Sequence, residues 1–264
     1  MHKIVKEHVS QFLSKGLRED GRALDQYRKP ITIEYGISPK SADGSARVKI
    51  GGTEVVAGVK LEVDTPYPDT EDQGNLIISC ELLPLSSPEF ESGPPSIDSI
   101  ELSRVVDRAV RESHAVDLQK LCITKGEKVW VLFVDVYPIN DEGNLFDAAH
   151  LAAIAALQDA RFPGYDAKTG KVLYDEKTSK KLPLTGLPLS VTVHKIGDHL
   201  LVDPVSAEEQ SMDARLTVAS LDDGTICALQ KGGAAPFKRE EIEKAVELAI
   251  TKAKELRKHL GGSK

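Results

Sequence analysis

The chain has 264 residues, 41% hydrophobic and 28% charged, with a net charge of -7. That length suits one large core or, on our reading, two smaller ones, and the negative balance excludes a broad basic surface for nonspecific nucleic-acid binding. No apolar run approaches the roughly 20 residues of a membrane span, and His2, Lys3, Lys6, Glu7 and His8 do not read as a signal peptide, so a cytoplasmic location is expected.

A short helix is predicted over Ser10–Leu17, ended near Gly16, with the polar run Arg18, Glu19, Asp20, Gly21, Arg22 following as a turn or arm. From Ala46 apolar residues alternate through Val48 and Ile50, turn at Gly51 and Gly52, and alternate again from Val55 to Val63. Period two over that length predicts a β-hairpin. Pro66, Pro68 and Gly74 mark a loop, residues 76–83 a further strand, and residues 86–95 a second irregular segment. A helix over 100–113, capped by Ser96 or Asp98, places Leu102, Val105, Val106, Ala109 and Val110 on one face. Glu101, Arg104, Arg108 and Arg111 share the opposite face.

Residues 129–137 read as a strand covered on both sides, leading through Asn140, Asp141, Glu142, Gly143 and Asn144 into an alanine-rich helix that ends near Arg161. A turn of this kind delivers the next residues to a helix N-terminus, where free N–H groups and the helix dipole favour an anion. The residues delivered are Leu145, Phe146 and Asp147: no cation meets a phosphate, and Asp147 would repel one while serving as a cap. Pro163 and Gly164 open a polar excursion with Lys168, Lys171, Lys177, Lys180 and Lys181, expected as a surface loop. Beyond Pro188 the strand pattern restarts in two hairpins, turning at Gly197–Asp198 and at Asp222–Gly224, before a final helix with Ile242, Ala245, Val246, Ala249, Ile250 and Ala253 on one face. The fold class is therefore α+β, with two sheet-plus-helix halves. The expected divisions are an N-terminal helix and arm (1–30), a first domain (31–164), a connecting excursion (165–188) and a second domain (189–259).

Cys80, Cys122 and Cys227 are scattered, which encodes neither a disulfide framework nor a zinc site. His114, His150, His194 and His199 have no metal-ligand spacing and are expected to be structural or exposed.

These residues resemble a known family. Arg18–Arg22 resembles its RxDGR motif, Gly44–Val55 its first hairpin, residues 135–163 its strand, turn and alanine-rich helix, and residues 202–209 its acidic loop. The family is the ribonuclease PH group of phosphate-dependent 3'-to-5' exoribonucleases, and the resemblance spans essentially the whole chain. It implies the ribonuclease PH-like fold, with a first half like ribosomal protein S5 domain 2. Within the family the arm, the pattern from Asp141 to Ala149 and the Asp203, Pro204, Glu208, Glu209 stretch are most similar to the noncatalytic ring subunit of the archaeal exosome.

The resemblance implies a hexameric ring of three heterodimers with a catalytic sister subunit, under RNA-binding cap proteins. Catalytic members hold the attacking phosphate with a Gly-Ser/Thr-Arg segment. Here the hydroxyl position is Leu145 and the arginine position Phe146, so no catalytic residue is assigned and the phosphate site is degenerate. The acidic loop keeps Asp203, Glu209 and Asp213 at or near the positions of the family's carboxylates, leaving a residual acidic role open. No metal or cofactor is expected on this chain; phosphate and a divalent metal belong to the sister. The arginine stripe reads either as a solvated face paired with Glu101 and Asp107 or, by the resemblance, as a grip on single-stranded RNA through Arg104, Arg108 and Arg111. Two other functions stay open: a self-sufficient phosphorolytic exoribonuclease, and an RNA-binding or assembly protein outside any exosome.

Overall fold

A computed structural model describes residues 2–261, with the side chains of His2 and Lys3 excepted; residue 1 of the expected arm lies outside it. The chain opens with helix α1 (His2–Leu13), which begins and ends earlier than the sequence pattern predicts. Its position is set by a distant contact: Val9 and Leu13, one turn apart, bury themselves against Ile196 and Leu201 of the second half.

The first half is a six-stranded sheet of β1 (Ile31–Tyr35), β2 (Gly44–Ile50), β3 (Thr53–Asp64), β4 (Asn75–Cys80), β5 (Cys122–Thr124) and β6 (Lys128–Asn140). The order is β1-β2-β3-β6-β4, with β5 also on β6, and only β4 runs parallel to its neighbour. The predicted hairpin is β2–β3, with Val55, Ala57, Val59 and Leu61 wholly buried and the residues between them part-exposed. Helix α2 (Ile97–Glu112) starts at Ser96, whose hydroxyl accepts the Ser99 N–H, and buries the expected apolar face.

Helix α3 (Leu145–Asp159) joins the halves. Every residue from Leu145 to Leu157 except Phe146 is buried, because the helix packs on β2 and β3 of the first sheet and on β9 (Leu189–Ile196) of the second. Alanine permits that double approach, since it adds little bulk at the highest helix propensity. Where β2 passes the end of α3, a Cβ on Gly44 would lie 2.4 Å from the Ala160 Cα.

The expected lysine loop is instead a hairpin, β7 (Arg161–Asp166) and β8 (Lys171–Lys181). Nearly every residue of β8 is exposed, so the strand lacks the apolar alternation by which strands are recognised. After it come β9, β10 (His199–Val202), the short helix α4 (Ser206–Gln210), β11 (Ala214–Ser220) and β12 (Ile226–Gly232), in the sheet order β10-β9-β11-β12. Helix α5 (Arg239–Arg257) packs on β9 and β11. One hydrophobic core runs through both sheets and α2, α3 and α5.

Candidate functional site

The turn before α3 has the backbone of an anion site and the side chains of something else. Asn144 takes a left-handed conformation (φ 63°, ψ 41°) at the helix N-cap, without capping through its side chain. Gly143 before it has φ +94° and lies so close to the 203–206 loop that a Cβ would come within 2.6 Å of the Pro204 carbonyl oxygen. Into the N-terminus of α3 comes a carboxylate from α4: the Asn144 N–H donates to Glu209 Oε2 at 3.3 Å. The favourable place for an external anion is thus faced by an internal one. Leu145 is buried and Phe146 half-buried, with the Arg215 guanidinium stacked 4.4 Å from the Phe146 ring centre. Arg215 is itself paired to Glu101 at 2.6 Å. Neither the hydroxyl nor the free guanidinium that would hold phosphate is present at the turn.

Asp147 corrects the capping expectation. Its carboxylate points into the core, accepting from the Thr192 N–H at 2.8 Å and the Tyr27 hydroxyl at 2.5 Å, and so bolts α3 to β9 and to the arm. Burial pushes this carboxyl up to about 7, against the hydrogen bonds from Tyr27 and Thr192. His150 on the same helix is also buried, between Pro188 O and Ser190, and burial lowers it to about 4.

The acidic loop is held by arginines of the N-terminal arm. Asp203, fully buried with a left-handed φ of 49°, accepts hydrogen bonds from the Arg28 N–H (2.6 Å), Arg28 Nε (3.0 Å), Arg28 Nη2 (2.9 Å), Arg22 Nη1 (3.0 Å) and Asn144 Nδ2 (2.9 Å). Arg18, 2% exposed, grips Glu208 with Nε at 2.8 Å and Nη2 at 2.5 Å, and donates to the Val202 and Asp203 carbonyls. Burying such charges is tolerable only when geometry and hydrogen bonding are this complete. With both oxygens of Asp203 engaged by five donors, its carboxylate does not fit a metal ligand. Asp213 stands apart on the α1 side, where Lys6 and the Gly197 N–H bind it; burial acts upward on its carboxyl, but those bonds hold it below the usual range. The acidic positions are therefore not one site: Glu209 faces the turn, Asp203 lies beneath it, and Asp213 fastens α1.

Arg104 and Arg108 are exposed on α2, and with Ile78, Ser103, Asp107, Arg111 and Glu112 they line a groove of about 320 Å³. The expected helix pairing forms only in part. Asp107 binds Arg111 at 2.6 Å, and Arg111 also donates to the Leu76 carbonyl, whereas Glu101 turns away to Arg215. Among the described residues, Arg104 and Arg108 have no carboxylate within ion-pair distance, leaving their guanidinium groups available.

Arg22 and Arg18 belonged to a recognisable motif, but their role as clamps, and Arg28 and Arg215 altogether, escaped sequence reasoning. The one available signal was complementarity between an arginine-rich arm and an acid-rich loop.

Glu209 yields a pH prediction. Burial, reinforced by the Asp141 charge, pushes its carboxyl up to about 7. A carboxyl raised in the folded state contributes stability that is present below its unfolded value of 4.5 and lost as pH rises through about 7. Glu209→Gln keeps an acceptor for the Asn144 N–H and removes the charge. It is expected to match the parent in urea unfolding at pH 4.5 and to exceed it by about 1 kcal/mol at pH 8, a value reduced for partial exposure. A variant no more stable at pH 8 would refute the buried-charge account.

Two halves joined through an alanine-rich helix, with an acidic loop against the turn at its start, are an architecture that a known family shares. The chain belongs to the 3' exoribonuclease family, whose domain 1 profile matches residues 27–163 and whose domain 2 profile matches residues 186–252. It is 44% identical over 260 residues to the exosome complex component Rrp42 of Methanothermobacter thermautotrophicus, covering 98% of this chain and 95% of that one. The Pyrococcus furiosus protein of the same name is 45% identical over 258 residues, covering 97% and 92%. Among solved structures it is similar to a chain of the Archaeoglobus fulgidus exosome with RNA bound to the active site (TM-score 0.89, 43% identity, 97% of this chain and 98% of that one). An archaeal exosome core chain gives a TM-score of 0.86 at 40% identity, covering 98% and 97%. The expected ribonuclease PH-like α+β fold is borne out. Among the described residues no helix is long and apolar enough to cross a membrane.

Proposed function

We propose that this chain is a noncatalytic subunit of an archaeal-type exosome ring, supporting the active site of a catalytic sister and lending Arg104 and Arg108 to hold single-stranded RNA. The observation that carries the reading is the α3 N-terminus, where Leu145 and Phe146 stand and the Glu209 carboxyl already takes the Asn144 N–H. Phosphorolysis needs orthophosphate held against the scissile phosphodiester, with cations on both anions. Both guanidinium groups at the turn are committed, Arg28 to Asp203 and to the Glu142 and Gly143 carbonyls, and Arg215 to Glu101 and Phe146. In the ring, three copies alternate with three sisters beneath RNA-binding caps, and phosphate and metal bind to the sister.

The test is degradation of a labelled oligoadenylate with phosphate, by the chain alone and with the sister. The expected result is no nucleoside diphosphate from the chain alone and rapid release on mixing. Release by the chain alone would establish a self-sufficient exoribonuclease. Failure to co-purify with an equal amount of the sister would place the chain outside the exosome.

A further inference from the structure

Beside the degenerate turn lies a cleft of about 580 Å³ between α2, the turn, α4 and the 82–90 segment. Besides Pro88, six apolar side chains line it: Leu82, Phe90, Leu102, Leu145, Phe146 and Met212. So do five carboxylates, Glu89, Asp98, Glu101, Asp141 and Glu209, against one cation, Arg215. Arg215 cancels Glu101 at 2.6 Å. The other four have no cation within ion-pair distance among the described residues; Glu89, Asp141 and Glu209 receive only the neutral donors of Gln210, Gly143 and Asn144. An independent observation concerns the two segments that wall the cleft. Ile97 and Ile100, each next in the chain to a lining residue of α2, are 84% and 49% exposed, and Leu85, on the 82–90 segment, is 72% exposed. Large apolar side chains left in water on the elements that wall a cavity favour a protein contact over a site for a small ion.

We propose that this cleft receives an arginine side chain from a neighbouring protein chain. The aliphatic stem lies along Leu145, Phe146 and Met212, and the planar fork reaches the Glu209 and Asp141 carboxylates, a match that a lysine point charge makes less well. The identity of the neighbour rests on the ring reading above; the chemistry rests on the cleft alone. The Glu209 and Asp141 carboxyls register the same imbalance. Burial raises both, Asp141 adds to the push on Glu209, and Glu89 and Glu142 add to that on Asp141. Arg28 acts against the rise at both groups, and Arg215 at Glu209, without abolishing it. A position that binds a phosphate in catalytic relatives has, on this account, been inverted to bind a cation.

Met212 is the only methionine of the chain besides Met1, so methyl-labelled methionine reports on the cleft almost alone. Adding N-acetylarginine amide to the purified chain is expected to shift the Met212 methyl resonance, saturating at millimolar concentration. The citrulline counterpart, equal in shape and neutral, is expected to leave it in place. Glu209→Gln and Asp141→Asn, made separately so that one folded variant suffices, are each expected to weaken the effect at least tenfold. An absent shift, an equal shift with citrulline, or undiminished binding in both variants overturns the arginine site. With the catalytic sister added, the same variants are expected to weaken association about tenfold; unchanged association overturns the assignment of the neighbour. Arginine amide binding by a chain that fails to associate with the sister would sink the ring reading and leave the cleft's chemistry standing.

Discussion

Replacing Arg104 and Arg108 together by alanine is expected to lower the RNA affinity of the assembled ring about 100-fold. Charge-assisted hydrogen bonds contribute roughly 1.5–3 kcal/mol each, and two at the lower bound sum to about 3 kcal/mol, which is about two decades. Both side chains are exposed on the polar face of α2, away from Leu102, Val106 and Val110, so folding and ring assembly are expected to persist. Losing two phosphate contacts on a single strand should also flatten the dependence of log affinity on log salt by about 1.4. Arg111→Ala provides the comparison: Asp107 and the Leu76 carbonyl already occupy its guanidinium, so a smaller loss is expected. Filter binding at several salt concentrations measures both quantities. Unchanged affinity and slope would return the stripe to an ordinary solvated face.

The largest loss of stability is expected at Asp203. Alanine there leaves the buried Arg28 guanidinium and Asn144 amide without their carboxylate and takes one partner from half-buried Arg22, and removing one partner of a buried ion pair costs about 3–5 kcal/mol. Urea unfolding should register this as a lower midpoint at unchanged slope. Asp203→Asn retains the shape and one acceptor, so an intermediate loss is expected. A loss under about 1 kcal/mol for alanine would mean that the arm closes the loop without relying on this carboxylate.

Local rules read the regular parts of the molecule well. The alternation from Ala46 to Val63, the run from Val129 into the alanine-rich helix, and the two hairpins after Pro188 all depend on periodicity and turn residues within one segment. The same rules missed β1, whose five residues follow Pro30 and alternate only between half-buried and exposed. They missed β8 because its lysines lie on a strand with almost no buried face, and they misplaced α1 because its partners are Ile196 and Leu201. At the turn, Leu145 and Phe146 are read from the sequence directly, since identity at a position needs no long-range contact. The knot of Arg18, Arg22 and Arg28 around Asp203 and Glu208 is not, because it joins residues 175 to 190 apart in sequence. Asp147 misled for a related reason: a carboxylate in a first helical turn caps by default, and only the approach of Thr192 and Tyr27 draws it into the core.

That knot also constrains how the molecule is made. Arg18, Arg22 and Arg28 are synthesised some 175 to 190 residues before the carboxylates that neutralise them, at 203 and 208. Until Glu208 has left the ribosome the arm has no native seat, and Val9 and Leu13 wait equally for Ile196 and Leu201. Closing so long a loop adds little to its entropic cost but delays the contact that rewards it. Until then the nascent chain carries an unsatisfied basic arm and the uncovered apolar side chains of Val9 and Leu13, and a stall before Glu208 leaves a species with both exposed, the form most open to proteases and chaperones.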